Sequence, residues 1–296
     1  MRVYMVTPVL RQQLSREIRE KSRPLEPITG DTSADLHRLP GIRCVAFDVY
    51  GTLLVSAAGE ISTATGASRD AGPFALMTDV LRLPRTLTAS VEETYYQTID
   101  THHQRARARG TQHPEVDIRA VWREVIGRFE SPVPLQSELV ALSYELAANP
   151  VWPMPGALTL LQSLAHRGIR VALVSNAQFY TPLILEELLG ESLESLHIRP
   201  CIWSYEIGEA KPSPAPFRSL IDALASEQIS PGETLYLGND MLNDIVTAQD
   251  QGLRAVLFAG DRRSLRLRCD RPEIRTRAPD AVITDLQQLP AVIGSE

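Results

Sequence analysis

The sequence predicts a protein of the α/β class, in which a doubly wound parallel sheet carries an inserted α-helical domain. Two observations favour this class. Short apolar, β-branched runs alternate with amphipathic stretches of about 10 to 15 residues, which is typical of parallel strands joined by helices that cover both faces of a sheet. After the first of these runs, about a hundred residues have helical spacing and no strand pattern.

The strands of the predicted core are apolar runs that stop at a polar residue. Because these runs show no alternation of apolar and polar side chains, we expect strands that are buried on both faces. We predict a Rossmann-like core over 41–56 and 154–296. Its strand-forming runs are RCVAFD ending at Asp48, IRVALVS at 169–175, ETLYLG at 233–238 and RAVLFA at 254–259.

A helical insert separates the first run from the rest of the core. In EVDIRAVWREVIGRFE the apolar side chains recur every three or four residues, as on one face of a helix. We predict an α-helical cap over 57–153. Ligands of such sheets bind at the carboxyl ends of the strands, so an insert that leaves from this edge is expected to cover the site as a lid. Residues 1–40 are predicted to be an arm and linker, with a short helix over 9–20.

Composition excludes several classes of partner. The formal net charge of −6 argues against binding to nucleic acid or to anionic membranes, because such binding draws its affinity from excess positive charge. The three cysteines form no CxxC pair, so neither a disulfide framework nor a zinc site is indicated. No apolar run approaches the roughly 18 to 20 residues of a membrane span. We expect a cytoplasmic protein that acts on a small molecule, with a homodimer as one option for its assembly.

Polar residues that can carry chemistry stand at four successive positions along the predicted sheet edge. They are Asp48 in AFDVYGTLL, Ser175 in LVSNAQ, Lys211 in GEAKPSP, and Asp240 with Asp244 in YLGNDMLNDI. A carboxylate of the nucleophile type, a hydroxyl, an ammonium group and a pair of carboxylates are the groups that phosphoryl transfer onto a carboxylate requires. The two acids of the last motif are four residues apart, so they share one face of a helix.

These motifs resemble those of the haloacid dehalogenase-like hydrolase superfamily, in the group whose α-helical cap is inserted after the first motif. The resemblance covers about residues 42–292 and leaves the N-terminal arm unexplained. It implies that Asp48 is the nucleophile, which attacks phosphorus to give an aspartyl phosphate that water later hydrolyses. It also implies that Ser175 and the main-chain N–H groups of Asn176 and Ala177 hold the phosphoryl oxygens.

The resemblance assigns roles to the neighbours of these groups as well. Lys211 would pair with both the nucleophile and the transferring group, as a compact point charge. Thr52 would orient the nucleophile by a hydrogen bond, and Gly51 would permit the turn beside it.

The same resemblance implies a bound Mg²⁺ ion. Its ligands would be Asp48, the main-chain carbonyl of Tyr50 and an acid of the fourth motif, which together neutralise charge as the carboxylate approaches phosphate. Asp240 is favoured as the direct ligand and Asp244 as a more distant or bridging acid, with the reverse assignment left open. The family often has its first acid directly after the glycine, where this chain has Asn239.

Tyr50 departs from the pattern of the phosphatases in this superfamily. They usually have a second Asp two residues after the nucleophile, which serves as general acid and base. Loss of such a group costs roughly 10²- to 10⁴-fold in rate, so the phenol predicts slow turnover or a leaving group that departs without a proton. Halide is such a group, and DVYGTL with the Ser-Asn pair of LVSNAQ looks like 2-haloacid dehalogenases. Glu115 and Asp117 are the candidates for a substitute acid or a substrate contact.

Two features weigh against dehalogenation. Dehalogenases of this kind act without a metal, whereas the fourth motif of this chain, GNDMLNDI, keeps a second carboxylate. They also use an arginine in a Trp-Arg context, and Arg82 and Arg85 lie in MTDVLRLPR without that context. The sequence thus predicts a Mg²⁺-dependent phosphatase of small phosphorylated metabolites. The alternatives are a metal-independent 2-haloacid dehalogenase and a catalytically weak or inactive binding or regulatory protein.

Overall fold

A parallel six-stranded sheet forms the centre of the molecule. The computed structural model describes residues 7–58, 71–131 and 134–294, and this sheet lies within them. It confirms the predicted α/β class. The strands, in chain order, are β1 (Cys44–Phe47), β2 (Leu54–Ser56), β3 (Val151–Pro153), β4 (Arg170–Ser175), β5 (Ile198–Trp203), β6 (Thr234–Gly238), β7 (Arg254–Phe258) and β8 (Ala281–Ile283).

The first strand occupies the middle of the sheet. The order across the sheet is β5-β4-β1-β6-β7-β8, and each neighbouring pair is parallel. Phe47, the last residue of β1, is level with Leu173 of β4 and Leu237 of β6. Because the strands point the same way, the residues that follow β1, β4 and β6 meet at one edge of the sheet.

Helices cover both faces of the sheet. Val45 and Phe47 of β1 belong to one buried cluster, and Cys44 and Ala46 belong to another, as the alternation of side chains along a strand requires. Two-sided burial explains why the strands are apolar throughout.

Within the described ranges, no helix is both long and apolar enough to cross a membrane. The α-helices are α1 (Pro8–Lys21), α2 (Ala71–Val80), α3 (Thr88–Arg107), α4 (Ile118–Arg128), α5 (Ser137–Ala148), α6 (Ala157–His166), α7 (Thr181–Leu189), α8 (Ser204–Ile207), α9 (Ala215–Ala225), α10 (Thr247–Asp250) and α11 (Leu289–Ile293), with a π-helical turn at Met241–Val246.

We call α2 to α5 the helical insert. These helices pack around an aromatic cluster, in which the ring of Tyr95 lies 4.9 Å from that of Trp122 and 5.0 Å from that of Tyr144, measured between centroids. A two-stranded antiparallel ribbon of β2 and β3 connects the insert to the core. Residues 59–70 and 132–133 of the predicted cap lie outside the described residues, and the boundaries of the cap as a separate domain stay a prediction.

The N-terminal arm packs against both the core and the insert. Helix α1 contacts α7 of the core and α5 of the insert, and its Leu14 and Ile18 are fully buried. Further along the arm, the main chains of Asp35 and Val282 of β8 exchange two hydrogen bonds of 2.8 and 2.9 Å. The polar composition of residues 1–40 predicts an appendage, but this buried apolar pair and the main-chain bonds make the described part of the arm, residues 7–40, part of the packed structure.

Candidate active site

Asp48 lies directly after β1, at the carboxyl edge of the sheet. Its side chain is buried, and its Oδ1 accepts hydrogen bonds from Ser175 Oγ at 2.9 Å and from Lys211 Nζ at 2.9 Å. The structure therefore brings together the first three predicted motifs around one carboxylate oxygen. A buried carboxylate needs such donors, because removal from water disfavours its charged form.

The ammonium group of Lys211 lies between two carboxylates. Its Nζ is 2.9 Å from Asp48 Oδ1 and 2.6 Å from Asp244 Oδ1. Burial by itself lowers the pKa of a lysine, but the nearby charges of Asp244 and Asp48 outweigh burial and raise the pKa of Lys211. Lys211 is thus held as a cation at the centre of the site.

Tyr236 is a member of this cluster that sequence reasoning missed. Its hydroxyl donates to the main-chain carbonyl of Val174 at 2.7 Å and accepts from Lys211 Nζ at 2.7 Å. Burial raises the pKa of the phenol well above its usual range, so the hydroxyl stays protonated. Tyr236 stands inside the apolar run TLYLG, where an aromatic side chain is typical of core packing, and no sequence signal separates it from such a residue.

Asp244 is the fully enclosed acid of the fourth motif. Besides Lys211, its carboxylate accepts the main-chain N–H of Asp240 at 2.9 Å through Oδ2. Burial raises the pKa of Asp244, although the charge of Lys211 acts in the opposite direction. A side chain at Gly238 would clash with this carboxylate, so glycine is required at the end of β6.

Asp240 begins the π-helical turn and is engaged by other groups. Its Oδ1 accepts the main-chain N–H of Leu242 at 2.8 Å, as expected for a helix cap. Its Oδ2 accepts a hydrogen bond from the guanidinium of Arg268 at 2.5 Å. The fourth motif thus contains two acids with different surroundings, one beside Lys211 and one beside an arginine.

Residues 261–277, an arginine-rich stretch after β7 that we call the arginine-rich wall, pack beside the fourth motif. Their main chain pairs with that motif, since Arg266 N–H donates to Asn239 O at 3.0 Å and Met241 N–H donates to Arg266 O at 2.9 Å. Sequence composition predicts a surface loop here, and most of residues 261–277 are exposed or half-buried. Part of this loop also packs on residues 239–241 and supplies Arg268 to Asp240.

Tyr50 lies two residues after Asp48, and its phenol hydroxyl is already engaged in a hydrogen bond. The hydroxyl is 2.9 Å from Thr181 Oγ1, and burial raises the pKa of the phenol well above its usual range. Gly51 adopts φ of +83°, and a side chain there would clash with Ser264. Thr52 Oγ1 donates to Asn239 Oδ1 at 3.3 Å, so it links the first motif to the fourth.

The loop after Ser175 makes contacts that the sequence does not predict. The side chain of Asn176 accepts the main-chain N–H of Lys211 at 2.7 Å and donates to the Lys211 carbonyl at 3.1 Å. The main-chain N–H of Ala177, which we expected to face a phosphoryl group, donates instead to Ser204 Oγ at 2.9 Å. Asn176 therefore fastens the two loops of the site to each other.

Of the two candidate acids in the insert, only Glu115 contacts the core loops. Its Oε2 accepts a hydrogen bond from Ser204 Oγ at 2.8 Å, and burial raises the pKa of the carboxyl to about 7. Asp117 instead caps α4, where it accepts the main-chain N–H of Arg119 at 3.0 Å, and pairs with the Arg119 side chain at 2.8 Å.

The two arginines considered for halide binding lie on the surface. Arg82 is exposed, and Arg85 is exposed and paired with Asp79. A halide site at the sheet edge would need a cation beside Asp48, and the cation that the structure places there is Lys211.

The residues at the sheet edge offer hard oxygen donors of the type that Mg²⁺ prefers. Among the described residues, no group of three or more His, Cys, Asp or Glu side chains is arranged to hold a metal ion. Asp48 and Asp244 both direct Oδ1 at Lys211 Nζ. An ion at this edge would therefore be held by the remaining carboxylate oxygens together with main-chain or amide oxygens.

A parallel sheet with a buried aspartate-lysine-aspartate cluster at its carboxyl edge defines an α/β protein whose candidate catalytic groups lie at the ends of the strands. The chain belongs to the haloacid dehalogenase-like hydrolase family, whose model matches residues 42–252. The match confirms the resemblance found in the motifs and identifies the protein as a hydrolase. The matched residues end before the arginine-rich wall and begin after the N-terminal arm.

The known proteins most useful for comparison include both phosphatases and dehalogenases. A phosphoglycolate phosphatase of Rhodospirillum rubrum is 33% identical over 105 residues, which are 36% of this chain and 41% of that protein. This chain thus spans about two fifths of the length of that relative.

Two solved structures share the fold. A 2-haloacid dehalogenase from Pseudomonas syringae pv. tomato DC3000 is 21% identical with a TM-score of 0.55, over 85% of this chain and 97% of that one. A HAD phosphatase from Thermococcus onnurineus is 18% identical with a TM-score of 0.50, over 86% and 99%. At these identities the likeness shows the fold alone.

Proposed function

We propose that this hydrolase is a phosphatase of small phosphorylated metabolites that acts through an aspartyl-phosphate intermediate and depends on Mg²⁺. The observation that carries the proposal is the position of Lys211 between Asp48 and Asp244. A cation held there lowers the repulsion between an anionic nucleophile and an anionic phosphate. The partial likeness to a phosphoglycolate phosphatase supports the same reaction.

Asp48 is the nucleophile in this proposal. Its carboxylate forms a bond to phosphorus while the bond from phosphorus to the leaving oxygen breaks, and water then attacks the aspartyl phosphate to release phosphate and restore the carboxylate. Ser175 and Lys211 hold Oδ1, which leaves the second carboxylate oxygen as the attacking atom. The fixed position of the carboxylate supplies part of the rate, because it converts attack into an intramolecular step.

The ion would be held by Asp48, the main-chain carbonyl of Tyr50 and Asp244. When bound, Mg²⁺ supplies positive charge at the transferring phosphoryl group. We propose Asp244 rather than Asp240 as the acid of the fourth motif, because Asp244 shares Lys211 with the nucleophile whereas Asp240 faces Arg268. The sequence favours Asp240 instead, and a structure with Mg²⁺ bound distinguishes the two acids by which carboxylate contacts the ion.

The leaving group would depart with little help from Tyr50. Its phenol is buried and bonded to Thr181, so it is not free to shuttle a proton between the leaving group and water. We therefore expect faster turnover of phosphate esters with acidic leaving groups, such as aryl phosphates, than of alkyl esters.

The residue type at position 50 is the observation that favours the second candidate, a 2-haloacid dehalogenase. In that reaction Asp48 would attack carbon and displace halide, with no metal. The surface positions of Arg82 and Arg85 weigh against it, since neither arginine is available beside Asp48. Cytoplasmic location and dimerisation stay predictions.

One set of assays separates these functions. Release of phosphate from an aryl phosphate is measured with Mg²⁺ and with a chelator, beside release of halide from a 2-haloacid, for the wild type, Asp48→Asn and the exposed control Asp222→Asn. We expect Mg²⁺-dependent phosphate release that Asp48→Asn abolishes and the control keeps. Halide release that is insensitive to chelator would establish the dehalogenase instead. Absence of both, with Mg²⁺ still bound, would indicate a binding or regulatory protein.

A further inference from the structure

Residues 113–118, which run from the loop after α3 to the first residue of α4, contact two loops of the core. We call them the clasp segment. Its main chain bonds to the loop before Lys211, since Ala210 N–H donates to His113 O at 2.9 Å and Glu115 N–H donates to Gly208 O at 3.0 Å. The insert is thus tied by backbone hydrogen bonds to the loop that carries the lysine.

The clasp segment also holds the loop that follows Ser175. The side chain of Gln178 donates to Val116 O at 2.9 Å and accepts the main-chain N–H of Ile118 at 3.0 Å. One position earlier, Ala177 N–H donates to Ser204 Oγ. Ser204 Oγ in turn donates to Glu115 Oε2, with 2.8 Å between the two oxygens. A chain of hydrogen bonds therefore runs from Glu115 to the main chain next to the predicted phosphoryl-binding loop.

The direction of the Ser204 hydroxyl depends on Glu115. A hydroxyl has one proton, and Ser204 can give it to Glu115 Oε2 at 2.8 Å or to Ala177 O at 3.3 Å. Donation to Glu115 Oε2, the shorter of the two bonds, fixes the rotation of the hydroxyl while its oxygen accepts the N–H of Ala177 at 2.9 Å. Because Ala177 lies two residues after the hydroxyl that holds Asp48, a small displacement of this loop moves Ser175 relative to the nucleophile.

We propose that Glu115 is a positioning residue of the hydrolytic site, which fixes the loop at Ala177 through Ser204 and does not exchange protons with the substrate. Both carboxyl oxygens are used by framework groups, since Oε1 accepts the main-chain N–H of Val116 at 2.9 Å and the Gln178 amide at 3.3 Å. A general acid needs a proton aimed at the leaving group, whereas this carboxyl is surrounded by donors. This inference about Glu115 rests on the proposed function only in the experiments that measure phosphatase activity.

Two substitutions of Glu115 separate positioning from acid catalysis. In Glu115→Gln the amide oxygen can accept from Val116 and Gln178, and the amide nitrogen can donate to Ser204 Oγ, which still accepts from Ala177. This variant is expected to keep turnover within about threefold of the wild type, whereas Glu115→Ala is expected to lower kcat by about 10- to 100-fold with little change in KM. If Glu115→Gln loses as much activity as Glu115→Ala, the carboxyl acts as an acid and the proposal is wrong.

Substitution of Ser204 tests the same series of hydrogen bonds between Glu115 and Ala177. Ser204→Ala is expected to lower kcat as Glu115→Ala does, and the double variant is expected to lose no more than either alone, because both remove one linked contact. The control is Glu124→Ala, which is expected to match the wild type. Glu124 lies on α4 and contacts His102 on the surface of the insert. Additive losses in the double variant would contradict the linkage.

A second readout does not require phosphatase activity. Exchange of the Ala177 main-chain amide hydrogen with solvent, followed by NMR, is expected to be faster in Glu115→Ala than in the wild type and close to the wild type in Glu115→Gln. Unchanged exchange in Glu115→Ala would overturn the proposal even if the enzyme has a different substrate. Changed exchange in a protein without phosphatase activity would leave the positioning role intact and refute the proposed function alone.

Discussion

Buried acids are stabilised differently at the sheet edge and at the boundary with the helical insert. At the sheet edge, Asp48 and Asp244 share the cation of Lys211. At the boundary, Glu145 of α5 accepts from the hydroxyl of Tyr180 at 2.9 Å and from the amide of Asn149 at 3.1 Å, which are uncharged donors. The difference matters because a nearby cation favours the ionised form of a carboxylate, whereas the donors around Glu145 carry no charge.

The comparison separates two uses of buried charge. A nucleophile must stay ionised to react, so the proposed site keeps a lysine within 2.9 Å of Asp48. The acids at the boundary accept hydrogen bonds from framework groups, and burial raises the pKa of Glu145 to about 6 and that of Glu115 to about 7. Substitutions at the sheet edge are therefore expected to affect chemistry, and those at the boundary to affect stability and geometry.

The largest effect is expected from the lysine. Lys211→Met leaves two buried carboxylates without their cation and is expected to abolish turnover and cost about 3 to 5 kcal/mol of stability. Lys211→Arg keeps the charge, but a planar guanidinium cannot replace a point donor in this enclosed space, so kcat is expected to fall about 10²- to 10³-fold. The matched control is Lys21→Arg, at the chain's other lysine, which lies on the surface of α1. Wild-type kcat in Lys211→Arg would refute the role given to this residue.

Tyr236 tests whether the lysine needs its uncharged partner as well. Tyr236→Phe keeps the packing of the ring and removes the hydroxyl that accepts from Lys211 and bonds to Val174 O. We expect a loss of about 1 to 3 kcal/mol in stability, and kcat about tenfold lower, measured by thermal unfolding and steady-state kinetics. Tyr205→Phe, whose hydroxyl bonds to exposed Glu206, is the control. Equal results for the two variants would mean that Tyr236 only packs.

The smallest effect is expected at Glu145, and it concerns stability. Burial raises the pKa of Glu145 from 4.5 to about 6, although the bonds to Asn149 and Tyr180 act in the opposite direction. The folded protein therefore binds this proton more tightly than the unfolded chain, and stability falls as the pH rises from about 4.5 through about 6, by about 1 to 2 kcal/mol. Glu145→Gln is expected to remove this part of the pH dependence, measured by urea unfolding from pH 4 to 7. A curve parallel to that of the wild type would show that Glu145 does not contribute.

The positions that sequence reasoning predicted are those whose signal is local. Asp48 and Ser175 each stand at the end of an apolar run, so a parallel sheet must deliver them to one edge. Lys211 stands in the motif GEAKPSP, in an arginine-rich chain that has only two lysines. The α/β class followed from the same runs.

The contacts that sequence reasoning missed join distant segments. The sequence around Tyr236 is typical of a core aromatic residue, and only the fold shows that its hydroxyl contacts Lys211. The sequence around Ser204 likewise gives no sign that its hydroxyl bonds to Glu115 of the insert. Asp240 reads as a metal ligand by its motif, but Arg268, twenty-eight positions later, binds its carboxylate. The hydrophobic periodicity of a sequence indicates which face of a helix or strand is buried, but it does not indicate which residues that face contacts.

The central claim is that Asp48 takes the phosphoryl group, and trapping that intermediate tests it most directly. A radiolabelled aryl phosphate is mixed with the Mg²⁺-loaded enzyme and quenched in acid within one turnover, and the label is located by peptide mapping. We predict label on the peptide that contains Asp48, sensitive to hydroxylamine as an acyl phosphate is, and none in Asp48→Asn. Turnover with no labelled peptide, or label that persists in Asp48→Asn, would contradict the account.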